Sequence, residues 1–159
     1  MKSHEYQSLI KWTGNKGKGT KSYTSYERSY DIIIENKPTL KGSADPAFRG
    51  NAELYNPEDL FLASISSCHM LWYLHFCSVN KITVIDYQDK ATATMEETAE
   101  GKGHFTKAIL YPEVVILEKD KIELAESLHQ KANEFCFIAN SCNFPIQHKS
   151  KVTTQEKDY

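Results

Sequence analysis

A stretch without any charged side chain, residues 60–77, constrains most strongly what this chain can fold into. It follows residues 56–59, Asn-Pro-Glu-Asp. In such a segment asparagine can cap a helix, proline suits the first helical position, and two acids oppose the positive helix end. The pattern predicts one long apolar helix that begins at this cap and ends near Val79.

A helix of this length and hydropathy could also cross a membrane. Five polar side chains within it argue against a membrane span: Ser64, Ser66, Ser67, His69 and His75. A buried core helix, apolar nearly all round and packed on several sides, is the better interpretation. We expect no membrane partner.

Length and composition indicate one domain, residues 1–159, of ordinary globular composition with 40% apolar and 25% charged residues. The net charge of −2 and the scattered basic residues argue against a nucleic-acid partner. The polar N-terminus predicts no signal peptide. We therefore expect a cytoplasmic protein.

The segments around the helix predict an α+β fold, with helices packed on antiparallel sheet. Before the helix we expect a strand (5–13), a Gly-rich turn (14–19), a hairpin or long strand (20–35) and a loop (37–55). After it we expect a hairpin (82–97 and 104–117), a second helix (121–135), an irregular stretch (136–143) and a last strand (144–154).

The four cysteines, Cys68, Cys77, Cys136 and Cys142, form no Cys-x-x-Cys pair. A structural disulfide framework is therefore not expected. On the residue pattern alone, a core cysteine is the favoured interpretation of Cys68. A reactive thiol would need a nearby cation, which must come from elsewhere in the fold.

Only two arginines, Arg28 and Arg49, could supply a guanidinium. Arg49 is the leading candidate, because its position between Phe48 and Gly50 suggests a site that needs the planar guanidinium group of arginine. Arg28 is more typical of a cross-strand charge pair. For Arg49, a plain surface arginine remains the alternative.

Glu58 could hold such an arginine, or it could simply be a favourable charge at the helix start. Cys68 comes ten positions after Glu58, which is about 15 Å along one straight helix. One arginine could not easily serve both within one chain. An antiparallel partner helix across a two-fold axis would solve this.

Cys136 ends the second predicted helix and precedes irregular chain, so it could move to meet another thiol. Cys142 could compete for this role, and two buried structural cysteines remain the alternative. Cys77 is predicted to be a core residue. His69 and His75 lack metal-ligand spacing, and we expect no metal or cofactor.

Taken together, these features resemble the OsmC/Ohr family, the osmotically inducible protein C and organic hydroperoxide resistance proteins, and its OsmC-like branch more closely. The resemblance extends over nearly the whole chain. It rests on residues 56–61 (Asn-Pro-Glu-Asp-Leu-Phe), Ser66-Ser67-Cys68, Trp12 before the Gly19-Thr20 turn, and residues 132–136.

The resemblance implies an intertwined homodimer with a strongly bent antiparallel sheet wrapped around buried central helices. It also implies a peroxiredoxin-like antioxidant enzyme that reduces organic hydroperoxides without metal or haem. On this pattern Cys68 is the peroxidatic cysteine and Cys136 the resolving one. Glu58 holds the catalytic arginine, which matches Arg49.

The implied reaction passes through a Cys68 sulfenic acid and a Cys68–Cys136 disulfide, which a dithiol, often lipoyl-linked in this family, reduces. The sequence departs from the pattern in its first turn, which has lysines and no arginine, and at Phe137, where proline is usual. Two other functions stay open: a binding protein for apolar small molecules, and a cysteine hydrolase. Aromatic residues are expected near the site: Phe48, Tyr55, Phe61 and Trp72.

Overall fold

The computed structural model describes residues 1–155 and shows an α+β protein, as predicted. Its contacts cluster into two compact units, Met1–Phe61 and Leu62–Tyr159. The expectation of a single domain stays a prediction. The helices are α1 (Pro57–Val79) and α2 (Ile122–Phe135), and the strands are β1 (Leu9–Trp12), β2 (Tyr30–Ile33), β3 (Leu40–Gly42), β4 (Val84–Asp89), β5 (Thr92–Glu97), β6 (Gly103–Leu110), β7 (Pro112–Ile116), β8 (Ile146–His148) and β9 (Lys151–Thr154).

The start of α1 is capped as the sequence predicts. The Asn56 side-chain oxygen accepts a hydrogen bond from the Asp59 amide at 2.7 Å, and the Asp59 carboxylate accepts one from the Asn56 amide at 3.2 Å. This reciprocal pair satisfies two backbone donors that a helix start leaves unpaired. Helices α1 and α2 both begin and end within a residue of their predicted bounds.

The expected packing of α1 on several sides is wrong for the single chain, because its buried residues are confined to one face. This face consists of Ile65, His69, Tyr73, Phe76 and Cys77. On the opposite face Leu71 is 63% exposed. Within residues 1–155, α1 is also the one helix long and apolar enough to span a membrane by length and composition.

The first unit contains an antiparallel sheet of order β1-β2-β3. The predicted hairpin or long strand over residues 20–35 is only partly present, because residues 20–29 are irregular. There the Ser25 hydroxyl donates to the Gly19 carbonyl, and the Arg28 guanidinium donates to the Tyr23 and Tyr26 carbonyls. These side chains bond backbone groups that a strand would have paired.

The second unit contains two sheets, of order β4-β7-β9 and β5-β6-β8. The predicted β5–β6 hairpin is confirmed, but the two predicted strands are each divided in two. The Asp89 carboxylate accepts a hydrogen bond from the Tyr111 amide at 2.7 Å, just before Pro112. This contact links the two points at which the predicted strands are divided, between β4 and β5 and between β6 and β7. The predicted last strand is likewise divided into β8 and β9, which pair in parallel with β6 and β7.

The core of the second unit lies between α1, α2 and the sheet that contains β7. Both helices contribute their buried faces, and the sheet contributes alternate residues, as amphipathic elements must. The core cluster consists of Tyr73, Phe76, Cys77, Ile82, Val114, Ile116, Ala125, Leu128, Ala132 and Val152. Cys77 is thus a core residue, as predicted.

Candidate active site

Two of the four free thiols meet in the second unit. Cys68 lies half-buried on α1, and Cys136 lies directly after the last residue of α2 with 0% exposure. The two thiols lie close enough that Cys68 raises the pKa of the Cys136 thiol. The fold therefore brings together the two cysteines to which the family resemblance gave the peroxidatic and resolving roles.

The surroundings of Cys136 favour its protonated form. Burial raises the pKa of the Cys136 thiol to about 11, and the contact with Cys68 adds to this rise. The Ala139 amide donates to the Cys136 sulfur at 3.4 Å and opposes the shift. Cys136 is therefore held as a neutral thiol beside Cys68.

The irregular stretch after Cys136 contains one turn of 3-10 helix and then Cys142. The half-buried Cys142 thiol donates to the Ile138 carbonyl at 3.2 Å. Burial raises the pKa of this thiol as well. The alternative that Cys142 resolves the oxidised Cys68 stays a prediction.

Three aromatic rings form a cluster beside the thiol pair. This three-ring cluster consists of Trp72, Phe135 and Phe137. Trp72 follows Cys68 by one helical turn, and the two phenylalanines flank Cys136. The Trp72 ring lies 5.3 Å from Phe135 and 5.5 Å from Phe137, centroid to centroid. Phe135 is 45% and Phe137 67% exposed. Sequence reasoning named only Trp72 of these three, although the Phe-Cys-Phe motif signalled the others.

Glu58 lies in the first unit, where it lines a cavity of about 270 Å³ together with Arg28. Burial and, to a lesser extent, the Glu58 carboxylate raise the pKa of Tyr30. Four aromatic rings also line this cavity: Trp12, Tyr26, Tyr30 and Phe48.

The two arginines differ in how they are held. The Arg28 guanidinium carbon lies 4.3 Å from the centroid of the Tyr23 ring and 4.2 Å from that of the Tyr26 ring. Arg49 is exposed, has a left-handed backbone with φ of 65°, and lies 5.8 Å from the Tyr23 ring. Arg28, the weaker sequence candidate, thus shares the cavity with Glu58, and the catalytic role of Arg49 stays a prediction.

The side chain of His69, the residue that follows Cys68, faces away from the Cys68 thiol. His69 is buried and its Nε2 lies 3.0 Å from Nδ1 of His129. A cysteine hydrolase needs a base within reach of its thiol, and His69 is bound to another histidine instead. Within residues 1–155, no group of three His, Cys, Asp or Glu side chains is placed to hold a metal ion.

The sequence model of the OsmC-like protein family matches residues 50–151 of this chain. Among solved structures, an OsmC-like protein of unknown function from Vibrio cholerae is similar, with 27% identity, a TM-score of 0.83, and coverage of 94% of this chain and 100% of that chain.

An organic hydroperoxide resistance protein from Elizabethkingia anophelis has the same fold, with 21% identity, a TM-score of 0.68, and coverage of 98% and 100% of the two chains. A protein of that description from Legionella pneumophila has 21% identity, a TM-score of 0.66, and coverage of 95% and 99%. A search of curated proteins gave no match. The family match and the fold agree: the chain belongs to the OsmC-like protein family.

Proposed function

We propose that this protein is a thiol peroxidase that reduces organic hydroperoxides. The proximity of the Cys68 thiol to the buried Cys136 thiol carries the proposal. Family membership supports it, as do the names of the fold neighbours from E. anophelis and L. pneumophila, which are organic hydroperoxide resistance proteins.

The first half-reaction takes place at Cys68. Its thiolate attacks the distal peroxide oxygen, the O–O bond breaks, and the alkoxide leaves as an alcohol after it takes up a proton. Cys68 is then a sulfenic acid. An arginine near the thiol would favour the thiolate and the developing negative charge.

The second half-reaction closes the disulfide. The Cys136 sulfur attacks the sulfenic sulfur of Cys68, the S–O bond breaks, and water leaves with the Cys136 proton. An external dithiol then reduces the disulfide by exchange. A lipoyl-linked dithiol and a cytoplasmic location remain our predictions for the reductant and the compartment.

The three-ring cluster supports an apolar substrate. Exposed aromatic surface beside a reactive group can hold the organic part of a hydroperoxide through burial of apolar area. Hydrogen peroxide has no such part, so it gains nothing from these rings. We therefore propose that organic hydroperoxides are preferred over hydrogen peroxide.

We also propose that the active species is a homodimer. The exposed face of α1 carries Ala63, Ser67, Leu71 and Ser78, mostly small side chains that allow a second helix to approach closely. A second copy on this face would cover Leu71. It would also allow an arginine held by Glu58 in one protomer to serve Cys68 of the partner subunit.

Peroxidase turnover of cysteine variants tests the proposal. With cumene hydroperoxide and dihydrolipoamide, Cys68→Ser should abolish turnover. Without a reductant, Cys136→Ser should consume one equivalent of peroxide and stop at the Cys68 sulfenic acid, whereas the wild type should stop at the disulfide. Cys77→Ser, a change in the core, is the matched control and should keep turnover. Full activity of Cys68→Ser would refute the proposal.

A further inference from the structure

Three histidines from distant parts of the chain meet in the core of the second unit: His69 from α1, His129 from α2 and His148 from β8. His69 and His129 are 1% and 0% exposed. Their facing nitrogens are 3.0 Å apart and their ring planes lie within 3°. This geometry is that of an in-plane hydrogen bond between two imidazoles.

The hydrogen bond leaves two other nitrogens unpaired. A neutral imidazole has one N–H and one lone pair, so one ring donates and the other accepts. The outward nitrogens, His69 Nδ1 and His129 Nε2, are buried without a partner. Unpaired buried polar groups cost stability, and two apolar side chains of similar size would join the helices at lower cost. Stability alone does not explain the pair.

The helices that the pair joins are the two that bring the thiols together. His69 directly follows Cys68 on α1. His129 precedes Cys136 by seven residues, which is about two turns of α2. The Tyr73 ring stacks on the His129 ring with centroids 3.9 Å apart and holds its plane. The hydrogen bond therefore restrains both the spacing and the rotation of α1 relative to α2.

We propose that His69 and His129 are positioning residues for disulfide closure: the hydrogen bond between them holds α1 and α2 where the Cys136 thiol reaches Cys68. This inference rests on the proposed function, since it concerns the second half-reaction. A bond with a fixed length and plane sets one helix register, whereas two apolar side chains would allow several.

Paired substitutions separate positioning from stability. Gln at position 69 can place a polar atom near the Nε2 position, and Asn at position 129 near the Nδ1 position, so His69→Gln with His129→Asn keeps a hydrogen-bonded link. His69→Leu with His129→Leu removes the link. Val114→Ala, which opens a cavity in the same core cluster and keeps both histidines, is the control for loss of stability.

The measurement is the reduction potential of the Cys68–Cys136 pair in glutathione buffers, read from the linked peptide by mass spectrometry. We expect the double Leu variant to be at least as stable in urea as the wild type, while its disulfide is about tenfold less favoured, a potential about 30 mV higher. The Gln/Asn variant should stay within about twofold of the wild type. Val114→Ala should lose stability and keep the potential.

A wild-type potential in the double Leu variant would overturn the inference, as would an equal shift in Val114→Ala or a wild type that forms no such linkage. If the double variant does not fold, His129→Leu compared with His129→Asn gives the same test. Glutathione drives this experiment without peroxide. A protein without peroxidase activity can therefore still show the expected shift in reduction potential. The experiment thus tests the positioning role of the histidines separately from the peroxidase function.

Discussion

The thiol of Cys68 on α1 lies close to the thiol of Cys136, which is directly beyond the end of α2, and raises its pKa. Cys136 is fully buried and Cys68 is half-buried. A peroxide would therefore meet Cys68 first, and the second thiol is already in place to attack the oxidised sulfur. This order of events follows from the difference in exposure between the two thiols.

The first prediction concerns substrate preference. Phe137→Ala should raise KM for cumene hydroperoxide about fivefold, because it removes an aromatic contact of about 1 kcal/mol. KM for hydrogen peroxide should not change. Phe105→Ala, which removes a ring that packs on Phe144 and is not part of the three-ring cluster, is the control. Equal effects on both peroxides would mean that the three-ring cluster does not select the substrate.

The second prediction distinguishes the arginines. Because Arg28 lines the cavity with Glu58 and is held between two tyrosine rings, Arg28→Lys should lower kcat/KM on the order of 100-fold. Arg49→Lys should have the smaller effect, since Arg49 is exposed. The reverse order of the two effects would restore Arg49 as the arginine that activates Cys68.

The sequence predicted what local signals determine. The cap at Asn56 and the uncharged stretch after it fixed α1 almost to the residue. The division of the two strands near Asp89 and Tyr111 was not predicted, because the hydrogen bond between these two residues joins positions that are distant in sequence. Residues 20–29 were assigned to a strand because their composition suits one, whereas their own side chains bond the backbone.

The candidate site was only partly accessible to sequence reasoning. The residue pattern alone favoured a core cysteine at Cys68, and the family resemblance supplied its pairing with Cys136. The resemblance favoured Arg49, and only the fold shows that Arg28 shares the cavity with Glu58. His69, His129 and His148 could not be grouped beforehand, because neither their spacing nor their neighbours link them.

The third prediction concerns stability in acid. Burial lowers the pKa of His69 to about 4 and that of His129 to about 3, from an ordinary value of 6.5. Below pH 6.5 the unfolded chain therefore binds more protons at these two positions than the folded chain, so their contribution should lower stability as the pH falls from 6.5 to about 3. At pH 5 each histidine should cost about 2 kcal/mol relative to pH 8.

Urea unfolding between pH 5 and pH 8 measures this dependence. The variant with His69→Leu and His129→Leu lacks both groups and should show a much flatter profile. His104→Asn, a change of an exposed histidine, should leave the slope unchanged. If the double variant lost stability with falling pH as steeply as the wild type, groups other than these two histidines would cause the loss of stability in acid.

The fourth prediction concerns assembly. Leu71→Glu places a charge on the exposed face of α1 and should weaken dimerisation at least about tenfold, because a desolvated, unpaired carboxylate is costly. Leu124→Glu makes the same change on the exposed side of α2 and is the control. Sedimentation velocity over a concentration series measures both. A wild type that stays monomeric and fully active would contradict the proposed dimer.

Mass spectrometry of the protein after one equivalent of cumene hydroperoxide shows whether Cys68 and Cys136 react with a peroxide as a pair. We expect a peptide that links Cys68 to Cys136, and in Cys136→Ser a dimedone adduct on Cys68 that reports its sulfenic acid. Cys77 should remain a free thiol. A Cys68 that stays reduced while the peroxide persists would show that this protein is not a Cys68 peroxidase.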